Sequence, residues 1–114
     1  MTVLLVDDNE MILMTRRLIF ERNGYRVLTA STGAAGLEIL EKDAVTVAIV
    51  DYHLPDMDGN ILCEKIKAQY PHVHIILASG TMPEDISSCP DFVVLKGGSP
   101  LELLSKVGSL TKAA

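Results

Sequence analysis

Short apolar runs recur along this chain, and longer amphipathic stretches separate them. Thr2–Val6 is a continuous run of β-branched residues and leucines, too short for a helix and ended by Asp7-Asp8. Between residues 10 and 23, Met11, Thr15, Leu18 and Ile19 recur at helical spacing, with Arg16, Arg17, Glu21 and Arg22 interleaved. That pattern predicts a helix packed through the first set, and Asn23-Gly24 is its stop signal. Tyr25–Ala30 reads as a second strand, polar enough at Arg26 and Thr29 to lie at a sheet edge. Thr32 is placed to cap a helix running to about Lys42, anchored by Leu37, Ile39 and Leu40. Val45–Val50 is nearly all apolar, which predicts a strand covered on both faces. Asp58-Gly59 opens a helix to about Gln69, with Leu62 and Ile66 on one face, Asp58 as its cap and Tyr70-Pro71 as its end. Val73–Ala78 and Phe92–Leu95 are the fourth and fifth strands. Ser99-Pro100 supplies a cap and a first-turn proline for a last helix, with Leu101, Leu103, Leu104 and Val107 inward.

Strand and helix therefore alternate, and crossovers of this length imply parallel strands with helices on both faces. The small doubly wound solution is an α/β fold of the flavodoxin-like type, a five-stranded parallel sheet in order 2-1-3-4-5. With 114 residues, the chain is expected to be one domain, 1–114, with one core. A formal net charge of −5 and the lack of any Lys/Arg run argue against direct binding to nucleic acid or an anionic membrane. No apolar run approaches the roughly 20 residues of a membrane span, and the N-terminus lacks a basic segment. Cys63 and Cys89 form no CxxC or Cys/His cluster, so the expectation is a soluble cytoplasmic protein with reduced thiols.

Candidate chemistry changes this picture at the strand ends. In the proposed sheet, strands one and three are neighbours, so Asp7, Asp8 and Asp51 meet at the crevice where the strand order reverses. Three carboxylates that close need a counter-ion, and a hard divalent cation such as Mg2+ prefers such oxygens. Ser79 and Lys96 end strands four and five. A hydroxyl and an ammonium facing a metal–carboxylate cluster suit a phosphoryl group. A carboxylate can be the nucleophile in forming an acyl phosphate, and Asp51, at the end of the most apolar strand, is the candidate.

These residues carry a resemblance that runs essentially end to end. Val3-Leu4-Leu5-Val6-Asp7-Asp8-Asn9-Glu10, Ile49-Val50-Asp51-Tyr52-His53-Leu54-Pro55-Asp56-Met57-Asp58-Gly59, Ala78-Ser79-Gly80 and Lys96 resemble the receiver domain of two-component response regulators, the CheY-like superfamily. The resemblance implies a Mg2+-dependent phosphorelay step in which Asp51 takes a phosphoryl group from a phosphohistidine on a sensor histidine kinase or histidine phosphotransfer protein. It implies Mg2+ held by Asp8, Asp51 and the backbone carbonyl of His53, with Asp7 acting mainly through metal-bound water. Ser79 and Lys96 would contact the phosphoryl group, and Gly80 would leave its approach open. The signal would pass on by conformational change to a downstream effector or a second copy of the chain. Such a domain is a signalling module that catalyses only its own phosphorylation and dephosphorylation.

The sequence departs from the family pattern in one region. Only Thr81–Pro90 separate Gly80 from Asp91, and prolines stand at 83 and 90, so at most about Glu84–Ser88 can form the fourth helix. The family's switch aromatic lies three residues before the lysine; here that residue is Val93, and Phe92 is one position early. A bulge could re-aim Phe92, but absence of the aromatic switch is the favoured reading. Gly97 replaces the proline that usually follows the lysine, so a trans Lys96–Gly97 bond is expected. The alternative reading is therefore a degenerate receiver that binds proteins without conventional switching. An aspartate-nucleophile phosphatase usually needs a second carboxylate two residues after the first, where this chain has His53. A nucleotide-binding relative would need a Gly-rich loop after strand one.

Overall fold

Nine elements follow one another in a computed structural model that describes residues 1–81 and 87–111. They are β1 (Thr2–Val6), α1 (Glu10–Arg22), β2 (Arg26–Ala30), α2 (Gly33–Lys42), β3 (Val47–Asp51), α3 (Gly59–Gln69), β4 (His74–Ser79), β5 (Phe92–Leu95) and α4 (Pro100–Thr111). All neighbouring strands pair in parallel, in the order β2-β1-β3-β4-β5. The polar strand β2 is indeed an edge, and β3 is covered on both faces.

Side-chain alternation along the strands divides the core into two layers. Leu4, Val6, Ala48, Val50, Ile75 and Leu77 face α2 and α3, where Leu40, Leu62 and Ile66 meet them. Val3, Leu5, Val47, Ile49, Ile76 and Ala78 face α1 and α4, where Leu13, Phe20, Leu103 and Val107 meet them. Each large apolar side chain among these contributes up to about 1.5–3 kcal/mol when fully buried. Local chemistry fixes the helix starts. Asn9 accepts from the amides of Met11 and Ile12, Thr32 from Ala35, Asp58 from Ile61 and Ser99 from Leu101. Gly24, at φ 89°, takes the left-handed turn that ends α1.

Several sequence expectations are corrected. β3 and β4 each start and end later than the apolar runs suggest, so Asp51 and Ser79 are the last residues of their strands. The buried stripe of α1 is Leu13, Arg16 and Phe20, while Met11 and Leu18 are 69% and 53% exposed. Leu101 is 72% exposed, and α4 packs through Leu103 and Val107. In both helices the cap sets where the first turn begins, and the sheet then selects the face that reaches it. The expectation of reduced thiols also fails. Cys63 on α3 and Cys89 before β5 form a disulfide, their Cα atoms 6.3 Å apart, because the fold brings together residues 26 apart in sequence.

β5 pairs with β4 without a bulge, Ile76 with Phe92 through Ser79 with Leu95. Phe92 consequently packs on the α1/α4 side, under Lys106 Nζ at 4.7 Å, and Val93 packs on the other. The expected helical segment Glu84–Ser88 lies largely outside the described residues; Ser87 and Ser88 are not helical. No cis peptide bond occurs among the described residues, Lys96–Gly97 included.

Candidate functional site

The carboxyl ends of β1, β3, β4 and β5 converge on one acidic site. Asp7 leaves β1 fully buried, its amide donating to Ala30 O at 3.0 Å and its Oδ1 accepting from the Asn9 amide at 2.9 Å. Asp8 follows and is exposed. The parallel register sets Val6 beside Val50, so the residues that follow, Asp7 and Asp51, end adjacent strands. Asp7, Asp8 and Asp51 each present a carboxylate oxygen, all within 4.8 Å of one another.

Lys96 closes this cluster. Its amide donates to Ser79 O at 2.8 Å, which ties the end of β5 to the end of β4. Its Nζ then stands 3.0 Å from Oδ2 of both Asp7 and Asp51. Asp51 Oδ1 also accepts from the His53 amide at 3.3 Å. Burial pushes the Asp51 carboxyl above its ordinary value, and Asp7 adds to this, while the hydrogen bond and charge of Lys96 pull the other way. For Lys96, burial alone would lower the ammonium. Its contacts with Asp7 and Asp51 outweigh that and hold it above the usual lysine value.

One polar atom in this site is left over: Ser79 Oγ is buried without a hydrogen-bond partner, whereas Asp7 Oδ2 is held by the Lys96 ammonium at 3.0 Å. Buried polar atoms are nearly always paired, so such an orphan marks where a further group belongs. Carboxylate oxygens at this spacing form a hard-donor set that fits Mg2+, and the free hydroxyl fits an anionic oxygen.

The sequence-derived residues fall into two groups. Asp7, Asp8, Asp51, Ser79 and Lys96 come together. His53 is exposed at the mouth, its ring edge-on to Tyr52. Gly80 is exposed, and a Cβ there would meet nothing within 4 Å, so the protein itself does not require glycine to keep this approach open. Phe92 and Val93 lie at the far end of β5 from Lys96.

One charged residue escaped the sequence reading. Arg16, buried on the sheet-facing side of α1, points its guanidinium at Asp7 Oδ2 from 3.9 Å. Burial lowers its pKa against the opposing pull of Asp7 and Asp51. The signal was available in principle: residue 16 lies on the stripe defined by Leu13 and Phe20. Asp56 also has an unforeseen place. Its two carboxylate oxygens accept from the Gly33 and Ala34 amides at 2.9 Å, at the N-terminus of α2, and these bonds hold it below the usual carboxylate range.

Known proteins are similar to this chain in sequence and fold. The profile of the response regulator receiver domain matches residues 3–89. The transcriptional regulatory protein GlrR of Escherichia coli (strain K12) is 34% identical over 88 residues, covering 75% of this chain and 20% of that protein. The response regulator GtcR of Aneurinibacillus migulanus is 26% identical across 99% of this chain and 48% of its own length. The chain thus spans half or less of these relatives. Among solved structures, a CheY-like receiver domain protein from Methanospirillum hungatei JF-1 superimposes with a TM-score of 0.90 at 32% identity, over 95% of this chain and 90% of that one. The response regulator TrrA of Thermotoga maritima, solved in complex with Mg(2+)-BeF, has a TM-score of 0.89 at 27% identity, over 96% and 97% of the two chains. With the acidic crevice, the lysine and the 2-1-3-4-5 sheet all in place, the chain belongs to the family of response regulator receiver domains.

Proposed function

We propose that residues 1–114 act as one phospho-accepting receiver unit in a two-component phosphorelay, with Asp51 as the acceptor. The observation that carries this reading is the Lys96 ammonium, 3.0 Å from both Asp7 and Asp51, beside the unpartnered hydroxyl of Ser79. An oxygen of the Asp51 carboxylate attacks the phosphorus of a phosphohistidine. The new O–P bond forms as the N–P bond breaks, and the electron pair returns to the departing imidazole. Lys96 holds Asp51 in position at rest and then pairs with the transferred group. Ser79 donates its hydroxyl to a phosphoryl oxygen. Asp8, Asp51 and the His53 carbonyl would hold Mg2+, with Asp7 behind a bound water; the ion supplies charge neutralisation for the phosphoryl oxygens.

The partner is a sensor histidine kinase or histidine phosphotransfer protein, and a cytoplasmic setting follows from that pairing. The output goes to a downstream effector or a second copy of the chain. Val at position 93 and the non-helical Ser87 and Ser88 favour an output that differs from the family's usual one. A degenerate, purely protein-binding receiver is the second reading. Incubation with Mg2+ and a small phosphodonor, followed by intact-mass measurement, separates the two. One phosphoryl adduct is expected in the wild type and none in Asp51→Asn. No wild-type adduct, or one that survives the substitution, overturns the proposal.

A further inference from the structure

The Cys63–Cys89 bridge sits where it can control the stretch that follows the site. Cys63 is fully buried on α3, in the layer with Leu62, Ile66 and Leu77. Cys89 is half-buried in a stretch without regular structure. One turn before Cys63, Asn60 Oδ1 accepts from the Ser87 amide at 3.3 Å, and Ser87 Oγ accepts from the Cys89 amide at 3.1 Å. At the other end of this stretch, Asp91 exchanges two bonds with Ile75 of β4, each 2.8 Å. Residues 87–91 are therefore held by β4 on one side, and on the other by α3 through one side-chain hydrogen bond and one covalent link. The α3 side is coupled to the acidic site. Gly59, its first residue, lies so close to Asp51 that an added Cβ would meet the Asp51 carbonyl at 2.9 Å.

We propose that Cys63 and Cys89 form a thiol-exchange site whose co-reactant is a low-molecular-weight disulfide, and that its oxidation locks residues 87–91 onto α3. The Cys89 thiolate attacks one sulfur of the small disulfide, forming a mixed disulfide and releasing one thiolate. Cys63 then attacks the Cys89 sulfur, closing the protein bridge and releasing the second thiolate. The two cysteine protons pass through solvent to the two released thiolates. The two electrons lost by the cysteines thus reduce the small disulfide to two thiols. Of the two residues Cys89 is the half-buried one, so it is assigned the attack on the incoming disulfide, and the fully buried Cys63 the resolving step.

Opening the bridge leaves the fold in place. β5 begins three residues beyond Cys89, and its pairing with β4 does not include the bridge. The core around Cys63 retains Leu62, Ile66, Ile75 and Leu77. Reduction therefore frees a connecting stretch rather than an element of the sheet. The relevance to signalling rests on the receiver reading; the exchange itself does not.

The test uses the wild-type chain in glutathione buffers, fully reduced or with glutathione disulfide. Alkylation with mass detection reads the thiols, and amide exchange reads Ser87 and Cys89, with Asp91, which stays bonded to β4, as the internal control. In reduced buffer, Cys89 should alkylate faster than Cys63. The Ser87 and Cys89 amides should exchange at least tenfold faster than in the oxidised protein, with Asp91, β1, β3 and β4 unchanged. Glutathione disulfide should reverse both effects, and Cys89→Ser should show the fast pattern in either buffer. The proposal is overturned if the bridge never forms, if it resists reduction in the folded protein, if the Ser87 and Cys89 amides do not respond, or if reduction unfolds the sheet. Because no readout involves phosphorylation, a missing phosphoryl adduct would remove the receiver reading and leave this one standing.

Discussion

Arg16 places a cation where a helix facing a sheet would ordinarily carry an apolar side chain. Two neighbours on the same stripe, Leu13 and Phe20, do so. Its guanidinium has left water to stand near Asp7, at a cost that Asp7 and Asp51 offset in part. Together, Arg16 and Lys96 set two fixed cations against the three carboxylates of the cluster. One surplus negative charge remains to attract a divalent ion. Removing Arg16 should raise that surplus and tighten Mg2+ binding. Arg16→Met, which keeps the length and apolar stem, is expected to bind Mg2+ on the order of tenfold more tightly by calorimetry, the scale of one partly screened charge interaction. Unchanged or weaker binding would mean that Arg16 chiefly orients Asp7 and does not compete with the ion.

Among the helices, α3 packs its first residue directly against the end of β3 that carries Asp51. Its first residue is glycine for a packing reason. A Cβ on Gly59 would lie 2.5 Å from Leu77 Cδ1 and 2.9 Å from both the Asp51 carbonyl and Tyr52 Cα. The Gly59 amide also donates to Tyr52 O at 2.7 Å, holding the helix start against the end of β3. In an exposed helix, glycine to alanine would be stabilising by up to about 1 kcal/mol. Here the sign reverses, because two of the three clashes are with backbone that carries Asp51. Gly59→Ala should cost about 1–3 kcal/mol in chemical denaturation. It should also slow phosphoryl uptake, since relief of the clash moves Asp51. A variant as stable as wild type would show that α3 can slide away without strain.

At the scale of the whole molecule, the acidic site and the stability of the fold pull in opposite directions. The folded state holds Asp51 above its ordinary pKa, chiefly by burial. The folded chain thus binds that proton more tightly than the unfolded chain does. Stability contributed by this group falls as pH rises from the unfolded value through the folded one, and it stays low above that window. Asp51→Asn removes the charge and keeps the shape. It should therefore melt a few degrees above wild type at pH 7 in metal-free buffer, and the gap should close as the pH drops below the ordinary carboxylate range. A variant that melts at or below wild type at pH 7 would show that the Lys96–Asp51 pair is worth more than the burial costs. Added Mg2+ should narrow the gap from the wild-type side, because the ion binds only the folded cluster.

By itself, the amino-acid sequence determined the alternation of strands and helices, the 2-1-3-4-5 order and the caps Thr32, Asp58 and Ser99. It also determined the convergence of Asp7, Asp8, Asp51, Ser79 and Lys96. These follow from short-range periodicity, from side chains that bond their own backbone, and from a topology with few allowed solutions. Only the tertiary structure decided the rest: that Arg16 and not Met11 faces the sheet, that Asp56 reaches the start of α2, and that Cys63 meets Cys89. Each of these depends on how an element is rotated and docked. Local periodicity leaves that free by a turn of the helix, and contacts between residues distant in sequence then settle it.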